Sequence, residues 1–461
     1  MATRGDAHYR YLVLEGNESK LMREAMERRA WWMPAEEGGN WNLWFGGNGQ
    51  KMEWAKFSGR DADQQVVNRI DNHKEVVTKS GLAANLALLA QQADAPSWIP
   101  ETHVLSQGSP KDQASFKRAY ERHTKARSGM TWIVKPTNAN RGNGIEVFNK
   151  VDKVLSHVNT RKPGAKSIVQ KYIDEPLLVH GRKFDLRAYV LVTPNGEVFL
   201  HREAYVRTCG TPYVLDDLSN KAAHLTNDAV QKKTEEYGLH EDHCKLSLDE
   251  LQAAVGDAVD VHGAVRAQMV DCVRRLFGLV APKLNPRRLA HCFELFGLDF
   301  MIDAKGRVFL IEVNTSPALF LAGRVLSDLL PRVVEEVVQK GIDAVLPPPP
   351  GGGHERPEPL DGFERMDLIA CEASGALKPK AQAAAAGGAA VKAAAGGTAV
   401  KASGAAAKPG VAAGSAVKAA AGAAAAKARP PPSAPAAAAG RAAGARAAGS
   451  AAAPRRPVAA S

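Results

Sequence analysis

Three side chains with hard oxygen donors stand inside otherwise apolar runs: Asp299 in "FELFGLDFMID", and Glu312 and Asn314 in "RVFLIEVNTSP". An unpaired carboxylate in such a setting costs several kcal/mol or changes its pKa, so something must compensate it. The two runs read as a hairpin with its turn at Asp303 to Gly306. With Ile302 opposite Arg307, Asp299 faces Leu310, and strand alternation puts Asp299, Glu312 and Asn314 on one face. Phe300, Ile302, Phe309, Ile311 and Val313 then point to a core. Diagonal cross-strand neighbours lie about 7 to 8 Å apart, close enough for three oxygen side chains to converge on one ion. Two anionic donors and one neutral one suit Mg²⁺ held together with substrate phosphates. The plainer alternative is a hairpin face turned to solvent.

Phosphates also need cations and a covering loop. "TWIVKPTNANRGNGIEVF" delivers Lys135 on a strand, then a loop with Arg141, Gly142 and Gly144, whose glycines let backbone amides approach phosphate closely. The GNG triplet is equally an ordinary hairpin turn. It is neither GxxxxGK[ST] nor a complete dinucleotide fingerprint. In "SIVQKYIDEPLL" an apolar strand is broken by Gln170 and Lys171, which offers backbone groups to a purine edge and Lys171 to a phosphate, or else is an edge strand with an exposed lysine. In "GRKFDLRAYVLV" Lys183, Asp185 and Arg187 alternate with Phe184, Leu186 and Ala188, either as a charged site wall or as a salt-bridged outer face. "REAYVRT" with Arg207 and "AHLTND" with Thr226 and Asn227 add further charge and hydrogen-bonding groups.

The elements that must carry these residues alternate in kind. Short β-like runs ("YRYLVLEG", "TWIVKP", "SIVQKYI", "FDLRAYVLVT", "EVFLHREAYV") intersperse with helical patterns such as "LMREAMERRAW", "KSGLAANLALLAQQA" and "VRAQMVDCVRRLFGLVAPKL". That is an α/β or α+β core. "TPNGEVF" places an Asn-Gly turn between two alternating strands, the signal of an antiparallel hairpin. "LPPPPGGGHERPEP" is too rich in Pro and Gly to hold a ladder or a helix, so folding is expected to stop near Val345.

The chain of 461 residues is 45% hydrophobic, enough for two or three domains with real cores. Its net charge of +11 is a property of the tail: residues 376–461 hold 7 Lys and 5 Arg and no acid, which leaves 48 basic against 49 acidic residues before them. This Ala/Gly/Pro/Lys tail cannot bury a core and is expected to be disordered, a polycation suited to an acidic surface or else an inert extension. Five scattered cysteines without CxxC spacing fit a reducing compartment, and the N-terminus lacks a signal-length apolar run, which together imply a cytosolic protein and no membrane span. "HEDHC" (His240 to Cys244) lacks HExxH spacing and "NTS" at Asn314 has a better role than glycosylation. A nearly neutral folded part without a nucleic-acid module argues against a nucleic-acid partner.

Taken together and in order, "WIVKP…RGNGI", "VQKYIDEPLL", "GRKFDLRAYVLV", "HLTNDAVQK" and "FELFGLDFMID…FLIEVNTSP" resemble the tubulin tyrosine ligase family, including its polyglutamylases and glycylases, over roughly Tyr9 to Val345. The resemblance implies an ATP-grasp fold divided as a small N-terminal α/β domain (1–72), a central domain (73–174), a C-terminal domain with the metal hairpin (175–345), a Pro/Gly-rich extension (346–375) and the disordered basic tail (376–461). It implies ATP and Mg²⁺ as cofactors and amide formation through an acyl phosphate. Lys135 and Lys171 match nucleotide phosphate contacts, with the Arg141, Gly142 and Gly144 loop above them, and Gln170, Tyr172 and Ile173 match the adenine hinge. Lys183, Asp185, Arg187 and Arg207 match groups around the nucleotide, the incoming amino acid and the acyl phosphate, Thr226 and Asn227 lie beside the phosphates, and Asp299, Glu312 and Asn314 match the metal ligands. The implied partners are tubulin or microtubules and a free amino acid, with the tail meeting acidic tubulin termini. The implied place is the cytoplasm and its cytoskeleton, cilium and basal body included. "NHKEVVTKSGLAANL" favours glutamate as the amino acid; tyrosine, or a non-catalytic microtubule-binding relative, is the alternative.

Overall fold

The computed structural model describes residues 8–36, 38–47, 50, 52, 54–60, 63–126, 130–140, 142–234, 244–350 and 357–370. Arg141, residues 240–243 of "HEDHC" and the Ala-rich tail lie outside them.

Three sheets carry the chain. β1 (Tyr9–Val13) runs parallel to β2 (Trp32–Pro34) and β3 (Leu43–Phe45), and β3 pairs in parallel with β4 (Val66–Val67). Parallel neighbours require a crossover. The helix Ser19–Glu27 provides one, burying Leu21, Met22, Ala25 and Met26 against the sheet. A second sheet of β5 (Thr102–Ser106), β6 (Trp132–Pro136), β7 (Glu146–Phe148) and β8 (Lys166–Lys171) is antiparallel in the order β5-β8-β6-β7. The helices Pro110–Ala126 and Val151–Asn159 cover one side of it around Phe116, Trp132, Val154 and Val158.

The third sheet has seven strands: β9 (Leu178–Val179), β10 (Arg182–Val192), β11 (Val198–Thr208), β12 (Lys245–Ser247), β13 (Glu294–Ile302), β14 (Val308–Thr315) and β15 (Phe363–Arg365). The expected Asn-Gly turn joins β10 to β11, with Gly196 at φ +80°. Both faces of β10 are buried, and its two side-chain sets serve different ends. Phe184, Leu186, Ala188, Val190 and Val192 enter a core with the helices Lys79–Leu89 and Arg266–Val280. On the other face Tyr189 and Leu191 pack with the N-terminal sheet and the helix Gly323–Val338. Lys183, Asp185 and Arg187 share that second face, beyond the end of this apolar packing, and are buried rather than solvated.

Two expectations are corrected. In the β13–β14 hairpin Ile302 pairs with Val308, not Arg307, and the register shifts between Phe300↔Leu310 and Asp299↔Glu312, so Ile311 is an extra residue. Val308 and Leu310 therefore enter the core in place of Phe309 and Ile311, while Phe300, Ile302 and Val313 are buried as expected. Nor does folding stop at Val345. The chain returns after the Pro/Gly stretch, and β15 pairs with β11 through Phe199↔Arg365 and His201↔Phe363. The Glu336 carboxylate accepts the Gly362 and Phe363 N–H groups at 2.8 and 2.9 Å, and Met366 is buried in the main core.

Candidate active site

A ladder of charges crosses the strands where the second and third sheets meet. Asp185 on β10 lies opposite Arg207 on β11, Arg187 lies opposite Asp299 on β13, and Asp299 lies opposite Glu312 on β14. Adjacent registers make these contacts cross-strand pairs. Arg207 donates from Nε and Nη2 to the Asp185 carboxylate at 2.6 and 2.9 Å and reaches Asp299 Oδ2 at 2.8 Å. Arg187 Nε donates to Asp299 Oδ1 at 2.6 Å. Burial would raise the Asp299 carboxyl, but the two guanidiniums hold it well below the usual carboxylate range. Glu312 is the less compensated acid: burial raises its pKa, and so does the charge of Asp299. The Asn314 amide bridges the two, donating to Asp299 Oδ2 and Glu312 Oε1 at 3.2 Å each.

The walls of a cavity of about 270 Å³ rise from this floor. Lys135 enters from β6 and donates to Gln170 Oε1 at 2.8 Å, while Gln170 Nε2 donates to Thr102 Oγ1 at 2.9 Å. Burial pushes the Lys135 ammonium down to about 8, although Glu312 pulls the other way. Both ends of Gln170 are thus engaged in fixing Lys135. Lys183 donates to the Tyr172 hydroxyl at 2.6 Å, and burial pushes it down to about 7. Thr226 donates its hydroxyl to Asp185 Oδ2. Val76, Leu82, Ile133, Ile145, Ile168 and Met301 line the apolar part.

Of the residues singled out in the sequence, Lys135, Gly142, Gln170, Lys171, Tyr172, Ile173, Lys183, Asp185, Arg207, Thr226, Asn227, Asp299, Glu312 and Asn314 all border this one cavity. Arg187 does not border it and acts from behind by holding Asp299. Gly144 also stands off the wall, its carbonyl accepting from Arg161 at 2.9 Å. The Lys171 and Tyr172 N–H groups are bonded to the Glu101 and Thr131 carbonyls. Gly142, at φ +76°, leaves room for Asn227, which a Cβ there would meet at 3.2 Å.

Several residues escaped the sequence reading. Lys79, at the start of the helix Lys79–Leu89, reaches the wall and donates to the Ala139 carbonyl at 2.8 Å; the "TKSG" that carries it was the available signal. His224, quoted within "AHLTND" but given no role of its own, borders the cavity and bonds Tyr172. Glu294 fixes the base of the hairpin, accepting from Arg69 at 2.9 Å, Thr315 at 2.6 Å and the Ile70 N–H at 3.0 Å, with His73 Nδ1 at 2.7 Å.

The donor set fits a hard divalent cation. Two facing carboxylates, one of them poorly compensated, stand beside a side-chain amide, and Asn227 Oδ1 on the same wall is buried without a hydrogen-bond partner. Among the described residues no group of three or more His, Cys, Asp or Glu is placed to hold a metal, so such a site depends on the amide oxygens. Nor is any helix among them long and apolar enough to cross a membrane.

An α/β core whose antiparallel sheets enclose a cavity of lysines, arginines and paired acids agrees with what comparison shows: the model of the tubulin-tyrosine ligase family matches residues 58–350, and the chain belongs to that family. It is 30% identical over 311 residues to a protein of Tetrahymena thermophila named as a probable alpha-tubulin polyglutamylase, which covers 60% of this chain and 72% of that one. It is 30% identical over 221 residues to tubulin glycylase 3B of the same organism, covering 46% of this chain and 18% of the relative. A human protein named as an inactive polyglycylase is 29% identical over 352 residues, covering 62% and 51%.

Proposed function

We propose that the chain is an ATP-dependent ligase that uses Mg²⁺ and joins a free amino acid, glutamate in the favoured reading, to the acidic C-terminal tail of tubulin. The observation that carries this is the convergence of Lys135, Lys183 and Arg207 with Asp299, Glu312 and Asn314 on one half-apolar cavity. A carboxylate attacks the γ-phosphate of ATP to give an acyl phosphate, and the amine of the other amino acid displaces phosphate to form the amide. No protein nucleophile is needed, so the work is positioning and charge neutralisation.

Asp299, Glu312 and Asn314 would hold Mg²⁺, which neutralises phosphate oxygens when bound. Lys135 and Lys171 take the phosphates, with Lys79 beside them. Arg207 and Lys183 face the acyl phosphate, and Asp185 and Thr226 hold Arg207 in place. Arg187 keeps Asp299 ionised and aimed. The purine lies in the apolar part, at the Gln170 to Ile173 edge. The same reading places the protein at the cytoskeleton, with microtubules as partner and the basic tail on acidic tubulin termini. An inactive relative makes a binding-only role the competing reading; the complete set of cations and acids on the cavity favours catalysis.

The test is incorporation of labelled glutamate, tyrosine or glycine into tubulin with Mg-ATP, with Glu312→Gln as the blank. Labelling by glutamate that the variant loses is expected; labelling by tyrosine alone replaces the amino acid, and none with any of them, while ATP binds, removes the catalytic reading.

A further inference from the structure

Lys183 stands at the inner end of a hydrogen-bonded chain that leads away from the phosphate cations. Its Nζ lies 2.6 Å from the Tyr172 hydroxyl and 4.0 Å from that ring's centroid. The Tyr172 hydroxyl is 2.8 Å from His224 Nδ1, and His224 Nε2 is 2.9 Å from the carbonyl oxygen of Asp217, an exposed loop residue. That last contact orients the rest. A carbonyl only accepts, so Nε2 carries the proton, and in the neutral ring Nδ1 is the acceptor. Burial lowers the His224 pKa, which favours the neutral ring. Tyr172 therefore donates to His224 and presents its oxygen to Lys183.

The groups facing Lys183 divide in sign. Lys135 on β6 disfavours its charge, whereas Asp185, Asp174 and the Cys209 thiol favour it, and burial outweighs them all. Tyr213, whose ring lies 5.9 Å from Nζ, donates its own hydroxyl to the Asp174 carbonyl. An amine so placed holds a proton loosely, beside a tyrosine and a histidine that connect it to the surface.

We propose that Tyr172 and His224 are positioning residues that hold Lys183 as a proton-accepting amine and carry its proton out of the cavity during amide formation. The proposal rests on the ligase reading and assigns the proton that reading leaves over. As the incoming amine nitrogen bonds to the acyl carbon, the carbon–oxygen bond to phosphate breaks and phosphate leaves with the electron pair. The N–H proton passes to Lys183 Nζ. Lys183 returns a proton to the Tyr172 oxygen, the Tyr172 proton moves to His224 Nδ1, the imidazolium gives its Nε2 proton to solvent as that N–H leaves the Asp217 carbonyl, and exchange with solvent restores the Nε2–H tautomer.

Two measurements on the full chain test this. Trace acetylation of lysines across pH, read by peptide mass spectrometry, needs no turnover: Lys183 is expected to reach half-reactivity near pH 7, and in Tyr172→Phe, which keeps the ring and loses the acceptor, at lower pH. Half-reactivity with the ordinary lysines, or no shift in the variant, overturns the proposal whether or not the protein ligates anything. Single-turnover assays then separate the steps: His224→Gln should form ADP within a few fold of the parent rate while amide formation slows at least tenfold. Glutamine offers Tyr172 an acceptor but cannot be protonated, so His224→Gln leaves the labelling profile in place. ADP and amide formation falling together overturns the relay; a parent protein that makes no amide while Lys183 labels as expected overturns the ligase reading instead.

Discussion

Gly297 on β13 lies opposite Asn314, two residues from Asp299 as Asn314 is from Glu312, and the Arg187 side chain packs against the space its missing side chain leaves. A Cβ there would stand 2.8 Å from Pro317 Cβ, 3.1 Å from Arg187 Cδ and 3.2 Å from Arg187 Nε. Its backbone is extended, so Gly297→Ala introduces no backbone strain and the effect is one of crowding alone. Carbon contacts of ordinary length need about 3.5 to 4.0 Å, so Pro317 or Arg187 must retreat by up to about 1 Å. Overpacking of this kind costs about 1 to 3 kcal/mol, a shift of a few degrees in Tm. The functional loss should be larger. Arg187 Nη2 already sits 3.3 Å from Asp299 Oδ2, so a small retreat breaks that bond and loosens the 2.6 Å Nε contact. Misplacement of about 1 Å in a positioning group costs on the order of 100-fold. The assay pairs thermal unfolding with ligation rate at saturating ATP: we expect a folded protein with ligation reduced by about 10- to 100-fold. Activity within twofold of the parent would refute the view that Arg187 aims Asp299.

Arg29, just after the first helix, is fully buried and donates to Asp343 at 2.7 Å and Glu335 at 2.6 Å; Arg29→Met removes a buried guanidinium from both acids and should cost about 3 to 5 kcal/mol in urea titrations, whereas a cost under 1 kcal/mol would deny that coupling. His201, buried beneath β15, is held below its ordinary 6.5 by burial. The unfolded chain therefore takes up its proton first as pH falls, so this stability is full above about 6.5 and is lost progressively below it. The urea midpoint should drop between pH 7.5 and 5.5, and His201→Gln should remove part of that slope, His157 and His224 being held down in the same way. Gly142→Val places a branched side chain at φ +76° with its Cβ 2.9 Å from Val230 and should raise the ATP KM at least tenfold with little change in Tm; an unchanged KM would separate this loop from the nucleotide.

Period-two alternation made β10 legible, because Asp185 and Arg187 keep their parity against Phe184, Leu186 and Ala188 through a stretch whose pairing with β11 stays regular until the shift beyond Ala188. β15 was not legible: three residues after a Pro/Gly run have no period, and a carboxylate on a helix far upstream supplies the bonds that dock them. Lys79 was missed for a related reason, since it reaches the cavity from an element whose own pattern is ordinary. The hairpin is the most instructive case. Asp299, Glu312 and Asn314 share a face in the expected register and in the observed one, because the bulge falls below them and leaves their mutual parity intact. It reverses the parity of what lies nearer the turn, which no alternation rule reveals. The reversal has a use: in a regular strand Ile311 and Glu312 would point to opposite faces, whereas here both border the cavity. Consecutive residues thereby give an apolar wall and a carboxylate at the same point, the juxtaposition a nucleotide needs where its base-bearing end gives way to phosphate. Removing the extra residue, by deleting Ile311, would leave a regular ladder with Leu310 still opposite Phe300 and Val308 still opposite Ile302, and would take away only the apolar wall beside Glu312.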